Sequence, residues 1–131
     1  EGCPKIFLVN RTRARAEALH QDFGARVQVM DWTRIPELLD ETALLVNTTS
    51  LGMSGGQPLH INLERLHPQT IVSDIVYTPL ETDLLRDAAE IGCHTIDGLG
   101  MLLHQAAPGF ARWFGQTPEV DDDLRAAVLA E

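Results

Sequence analysis

The chain has 131 residues, 44% of them hydrophobic, which suits one compact domain with a real core. A formal net charge of -9 and a pI near 4.9 exclude broad attraction to nucleic acid or an anionic membrane, so any bound anion must be gripped locally. Lys5 is the only lysine beside nine arginines, which excludes lysine chemistry inside the fold.

Branched apolar runs at Ile6 to Val9, Val27 to Met30, Leu44 to Val46, Ile71 to Val76 and Thr95 to Ile96 predict five strands. Helical spacing links them: Ala16, Leu19 and Phe23 after the first, Ile35, Leu38 and Leu39 after the second, Leu80, Leu84, Leu85 and Ala88 after the fourth. Gly24 and Gly92 stand where a left-handed helix stop is wanted. Leu99 to Phe114 reads as one long helix, and Asp121 to Asp123 begin another that carries Leu124, Ala127 and Val128. Strand and helix alternate, so the expected fold class is α/β, three-layer α/β/α with a mostly parallel sheet, in one domain over residues 1–131. Residues Ser54 to Pro58 form a loop and not a linker, and neither repeats nor low-complexity segments are present.

Cys3 and Cys93 are too few for a disulfide framework, and no signal-peptide pattern is visible. Together with the lack of an apolar run of roughly 18 residues, this predicts a cytoplasmic protein without a membrane role. The five histidines show no metal-ligand spacing and no Ser-His-Asp arrangement is recognisable. Neither metal nor hydrolytic catalysis is expected.

The most informative stretch is Val9 to Arg15, an apolar strand ending in a polar turn that enters a helix at once, with arginines at 11, 13 and 15. In dinucleotide-binding folds an acidic residue at such a strand tip accepts from the 2′-hydroxyl of NAD, whereas arginine suits the 2′-phosphate of NADP. Arg11 and Arg15 can meet that phosphate, with Asn10 and Thr12 hydrogen-bonding at the helix start. The plainer reading is a capped helix with solvated arginines, and on local chemistry alone the two stand level. Three arginines oppose the helix dipole by a few tenths of a kcal/mol each, roughly, so the helix gains when an anion arrives.

Four blocks together, in order and spacing, resemble the shikimate dehydrogenases. They are Asn10-Arg11-Thr12 with Arg15, Asn47-Thr48-Thr49-Ser50-Leu51-Gly52-Met53, Asp74-Ile75-Val76-Tyr77-Thr78-Pro79, and Asp97 through Ala107. The resemblance covers nearly the whole chain. It implies a Rossmann-like NADP-binding domain of an enzyme that reduces 3-dehydroshikimate to shikimate with NADPH. It further implies that Asn10, Arg11, Thr12 and Arg15 clamp the 2′-phosphate and that Asn47, Thr48 and Thr49 pass under the cofactor. Backbone at Ile75 and Gly98 would hold the nicotinamide carboxamide, and Tyr77 and Gln105 would contact substrate. Read without it, Asn47-Thr48-Thr49 is a turn closing a strand, Tyr77 a core-edge aromatic, Gln105 a partly exposed helix residue and Met101 a packing residue.

Against the family pattern the first strand with its glycine-rich turn is missing, as is the substrate domain with the lysine and aspartate that handle the proton. The chain is thus expected to have no catalytic residue and no turnover alone. In the strand order 3-2-1-4-5-6 the first strand is central, so two strand groups remain, to close on each other or pair with a second copy as a homodimer. A quinate or quinate/shikimate dehydrogenase would share nearly the same half, and glutamyl-tRNA reductases and methylenetetrahydrofolate dehydrogenases are more distant relatives of the fold. A phosphoryl-receiver module would need a late lysine and clustered acids after the first strand, both missing. A noncatalytic nucleotide-binding or assembly domain is the alternative from another class.

Overall fold

The structure is a computed structural model that describes residues 2–130. It is α/β with parallel pairing at every described strand and divides into two compact units. The first unit runs up to Thr42 and includes Ile61–His67; the second comprises Ala43–His60 and the chain from Pro68 onward.

In the first unit β1 (Ile6–Val9) pairs with β2 (Val27–Met30), Ile6 opposite Val27 and Val9 opposite Met30. The crossover is α1 (Arg13–Phe23), entered through Thr12 in extended backbone. Of its expected apolar stripe only Ala16 is buried, while Leu19 and Phe23 are exposed. Gly24 ends α1 at φ 76° and ψ −162°; positive φ needs glycine there, yet this is not the left-handed helical basin expected. A 3-10 turn, Gly24–Arg26, delivers the chain into β2, and the ring Nδ1 of His20 lies 2.5 Å from the Val27 carbonyl oxygen.

The expected helix around Ile35 shrinks to one turn, α2 (Ile35–Leu38), between the 3-10 turns Trp32–Arg34 and Leu39–Glu41. Pro36 suits this because the first helical turn needs no amide donor. Ile35, Leu38 and Leu39 are buried as their spacing predicts. Lys5 Nζ lies 2.5 Å from Glu41 Oε2, and Arg65 pairs with Asp40.

The second unit holds a sheet of order β3-β4-β5: β3 (Leu44–Asn47), β4 (Ile71–Asp74) and β5 (His94–Ile96). β4 is central, and Val72 is fully buried in it. The predicted run to Val76 stops at Asp74, because the Asp74 carboxylate accepts the Val76 amide at 3.0 Å and turns the chain out of the sheet. Helix α3 (Asp83–Ile91) starts after Thr82, whose hydroxyl accepts from the Leu85 amide, so Leu80 lies before it. Leu84, Leu85 and Ala88 form its buried face, and Gly92 closes it in the left-handed region at φ 100° and ψ 12°.

Asp97 caps α4 (Gly98–Phe114) by accepting from the Leu99 amide, and Asp121 caps α5 (Asp122–Leu129) through the Leu124 amide. These helices match the predicted ones to within a residue. Among the described residues no helix is long and apolar enough to cross a membrane.

Candidate functional site

The first-unit candidates cluster at the tip of β1. Asn10 Nδ2 donates to the Thr12 carbonyl at 2.9 Å, and the Arg15 amide donates to the same oxygen at 3.0 Å, which shapes the turn into α1. The three arginines divide sharply. Arg13 is held by Glu17 at 2.8 Å and by Asp31 at 2.5 Å, and the hydrogen bond it donates to Glu17 and the field of Asp31 raise its pKa above the ordinary guanidinium value. Arg11 and Arg15 are exposed, and neither guanidinium pairs with a carboxylate among the described residues. Thr12 makes no side-chain capping bond.

Of the second-unit candidates, Thr48, Thr49, Ile75 and Tyr77 line a cavity of about 290 Å³, with Thr48, Thr49, Ser50 and Met53 from the segment after β3 and Ile75, Val76, Tyr77 and Thr78 from the segment after β4. Asn47 is buried, with its Oδ1 accepting from the Thr49 amide at 3.0 Å and the Thr49 hydroxyl at 2.8 Å. The turn reading of Asn47-Thr48-Thr49 is therefore realised, and Thr48 and Thr49 of that turn line the cavity. Ile75 spends its amide on the Asn47 carbonyl at 3.1 Å, which leaves only its carbonyl for other partners. Tyr77 is about half exposed at the cavity.

Gly98 is buried against Ile75: a Cβ built on it would lie 2.3 Å from the Ile75 carbonyl oxygen. The two backbones expected to act together are thus adjacent. Gln105, two turns into α4, is exposed and outside the lining of this cavity. Met101, read as a packing residue, is also exposed.

Asp74 and Asp97 both satisfy loop amides, Val76 and Leu99 respectively. Asp97 has a second partner that no local pattern signals: Arg125 of α5 donates Nη2 to Oδ2 at 2.6 Å and Nη1 to Oδ1 at 3.2 Å. Ser50, Met53, Val76 and Thr78 also line the cavity. They lie inside the quoted motifs, which is the only signal that could have found them. Among the described residues no cluster of His, Cys, Asp and Glu could hold a metal ion.

Parallel strands joined by helices, with polar turns at the strand ends, define a Rossmann-like α/β domain. Residues 98–128 match the Shikimate 5'-dehydrogenase C-terminal domain family. The shikimate dehydrogenase (NADP(+)) of Jannaschia sp. is 63% identical over 130 residues, covering 99% of this chain and 47% of that protein. That of Paracoccus denitrificans is 57% identical over 129 residues, covering 98% of this chain and 46% of its own.

Two solved structures carry the same fold. Quinate dehydrogenase from Corynebacterium glutamicum in complex with NAD superposes with a TM-score of 0.87 at 30% identity, over 99% of this chain and 48% of that one. Shikimate 5-dehydrogenase from Thermus thermophilus in complex with NADP(H) and shikimate gives 0.72 at 34% identity, over 88% and 42%. Over nearly its whole length the chain matches the C-terminal half of these shikimate dehydrogenases. It spans about half the length of the curated relatives it matches.

Proposed function

We propose that this chain is the NADP-binding part of an NADP-dependent shikimate dehydrogenase, which reduces 3-dehydroshikimate to shikimate. The observation that carries the reading is the division of the arginines at the tip of β1. Among the described residues the guanidinium groups of Arg11 and Arg15 remain without carboxylates in a chain of net charge -9, while their neighbour Arg13 is neutralised. Such uncompensated forks are what a 2′-phosphate dianion needs for charge-assisted hydrogen bonds. NADP is also the cofactor in the names of the Jannaschia and Paracoccus relatives.

Arg11 and Arg15 then grip the 2′-phosphate, with the Thr12 hydroxyl and Asn10 Oδ1 free to add hydrogen bonds. Asn47, Thr48 and Thr49 form the turn beneath the cofactor, and the Ile75 carbonyl with the Gly98 backbone receives the nicotinamide carboxamide. NADPH, when bound, supplies the hydride. Tyr77 offers a phenolic donor to a substrate carboxylate, and Gln105 an amide to ring hydroxyls. The cavity is lined by hydroxyl, thioether and aliphatic groups and the Tyr77 phenol, which this reading assigns to the substrate carboxylate and not to proton transfer. Lys5 stands in the other unit against Glu41. The domain therefore binds cofactor without turning substrate over by itself, the proton being handled by residues outside this chain.

An NMR titration with NADP and with NAD, following the amides of Asn10 to Arg15, tests the reading. Saturable shifts with NADP alone are expected; shifts with neither nucleotide overturn it. NADPH-dependent reduction of dehydroshikimate by the chain alone would overturn the claim of inactivity.

A second reading, a quinate dehydrogenase half, is favoured by the TM-score of 0.87 to the Corynebacterium enzyme with NAD. Preference for NAD in the same titration would select it. We further propose a cytoplasmic setting, from the composition, and homodimer formation along β3, an edge strand with Leu44 and Val46 exposed. Light scattering that shows a monomer at every concentration refutes the dimer.

A further inference from the structure

The two sides of the cavity leave the sheet at neighbouring points. Thr48 to Met53 departs from the end of β3 directly after Asn47, and Ile75 to Thr78 departs from the end of β4 directly after Asp74. Asn47 and Asp74 face each other in the strand register. Past them backbone links the two segments twice, from the Ile75 amide to the Asn47 carbonyl at 3.1 Å and from the Ser54 amide to the Thr78 carbonyl at 2.8 Å, and side chains supply the links near the strand ends.

Asp74 is fully buried and divides its carboxylate between two tasks. Oδ1 accepts from Asn47 Nδ2 at 2.9 Å and from the Val76 amide at 3.0 Å, while Oδ2 accepts from the Thr82 hydroxyl at 2.8 Å. Asn47 carries the connection onward: Nδ2 also donates to the Leu51 carbonyl at 3.1 Å, and Oδ1 takes both donors of Thr49. The Thr49 hydroxyl in turn accepts from the Leu51 amide at 3.1 Å. At the strand end the walls are thus joined through one bond between two buried side chains, whose groups have no water to turn to if the partner is lost, while the backbone bond from Ser54 to Thr78 ties their far ends.

We infer that Asp74 is a positioning residue that sets the separation of the cavity's two walls through Asn47. Oδ1 serves the cavity and Oδ2 anchors the start of α3, so the two roles are separable by mutation. The inference rests on the NADP reading only for what the cavity holds; the clasp itself is a matter of geometry.

The test uses the full chain labelled with ¹⁵N, in Asp74→Ala, Asn47→Ala and Thr82→Val forms, followed by amide shifts, hydrogen exchange and NADPH titration. Each of the first two substitutions is expected to move the amides of the opposite wall: Asp74→Ala those of Thr48 to Met53, Asn47→Ala those of Ile75 to Thr78. Val76 exchange should quicken by about tenfold, the scale of one hydrogen bond to a charged acceptor, and NADPH should bind about tenfold more weakly. Thr82→Val loosens the first turn of α3 and leaves both walls in place, with NADPH affinity changed less than about twofold.

An opposite wall that does not respond overturns the inference, as does a Thr82→Val variant that disturbs the walls equally, since Asp74 would then act only as a fold anchor. If Asp74→Ala does not fold, Asn47→Ala decides the matter from the other end of the same bond. A parent chain that binds no NADPH defeats the cofactor reading alone, because the comparison of wall amides still decides the clasp.

Discussion

Gly98 approaches Ile75 so closely that a Cβ on it would sit 2.3 Å from the Ile75 carbonyl oxygen, and 2.6 Å from that of Val76. Both obstacles are backbone in the turn that leaves β4, so they cannot swing aside as a side chain would. Gly98→Ala is expected to destabilise by at least about 1–3 kcal/mol, the range for overpacking, and to shift the amides of Ile75 to Tyr77. Gly100 and Gly109 lie in the same helix with nothing within 4 Å of a built Cβ. Alanine at either should stabilise by about 0.4–1 kcal/mol. Urea unfolding of the three variants checks the opposite signs.

The arginines at the tip of β1 should separate in a binding experiment. If Arg11 and Arg15 form the proposed clamp, Arg11→Ala and Arg15→Ala each remove a charge-assisted contact worth about 1.5–3 kcal/mol, and the midpoint of the NADP titration rises by about tenfold or more. Arg13 is already committed to Glu17 and Asp31, and Arg13→Ala should leave that midpoint nearly unchanged. Equal losses at all three positions would mean general charge attraction and no specific clamp.

Asp97 and Arg125 predict a pH dependence. Partial burial favours the neutral Asp97 carboxyl, but hydrogen bonds from Arg125 and the Leu99 amide outweigh it and hold the group below its ordinary value. A depressed folded-state pKa gives stability that is present above the unfolded value of about 3.9 and lost as pH falls through the folded one. Arg125→Ala should lower the melting temperature at pH 7, and its deficit against the parent should narrow once the pH drops below about 4. A deficit that is constant down to pH 2 contradicts this.

The two cysteines should differ in reactivity. Cys3 is exposed, whereas Cys93 is buried and desolvation raises its thiol pKa. Because the thiolate is the nucleophile, iodoacetamide at neutral pH should modify Cys3 well before Cys93 in the folded chain. Denaturant should abolish the difference, as read by mass spectrometry.

Branched apolar runs located all five strands, since a half-buried pleated surface selects those side chains whatever lies beyond it. Apolar spacing located the helices, whereas their caps set where they begin: Thr82, Asp97 and Asp121 each accept an amide within three residues, so that α3 starts after Leu80. The motifs at residues 47–53 and 74–79 likewise marked the turns that line the cavity, because strand ends and their turns are adjacent in the chain.

What only the tertiary structure decided are the matters in which residues distant in sequence compete for one another. β4 ends at Asp74 and not Val76 because a buried carboxylate, already engaged by Asn47 and Thr82, captures the next amide. Leu19 and Phe23 keep helical spacing yet stay exposed, since periodicity names a face without supplying its cover. Arg13 differs from Arg11 and Arg15 through Asp31, 18 residues away, and Asp97 meets Arg125 across 28. Spacing within the chain carries no trace of such pairs, because they are selected by the distance between folded elements and by which charge is left without a partner.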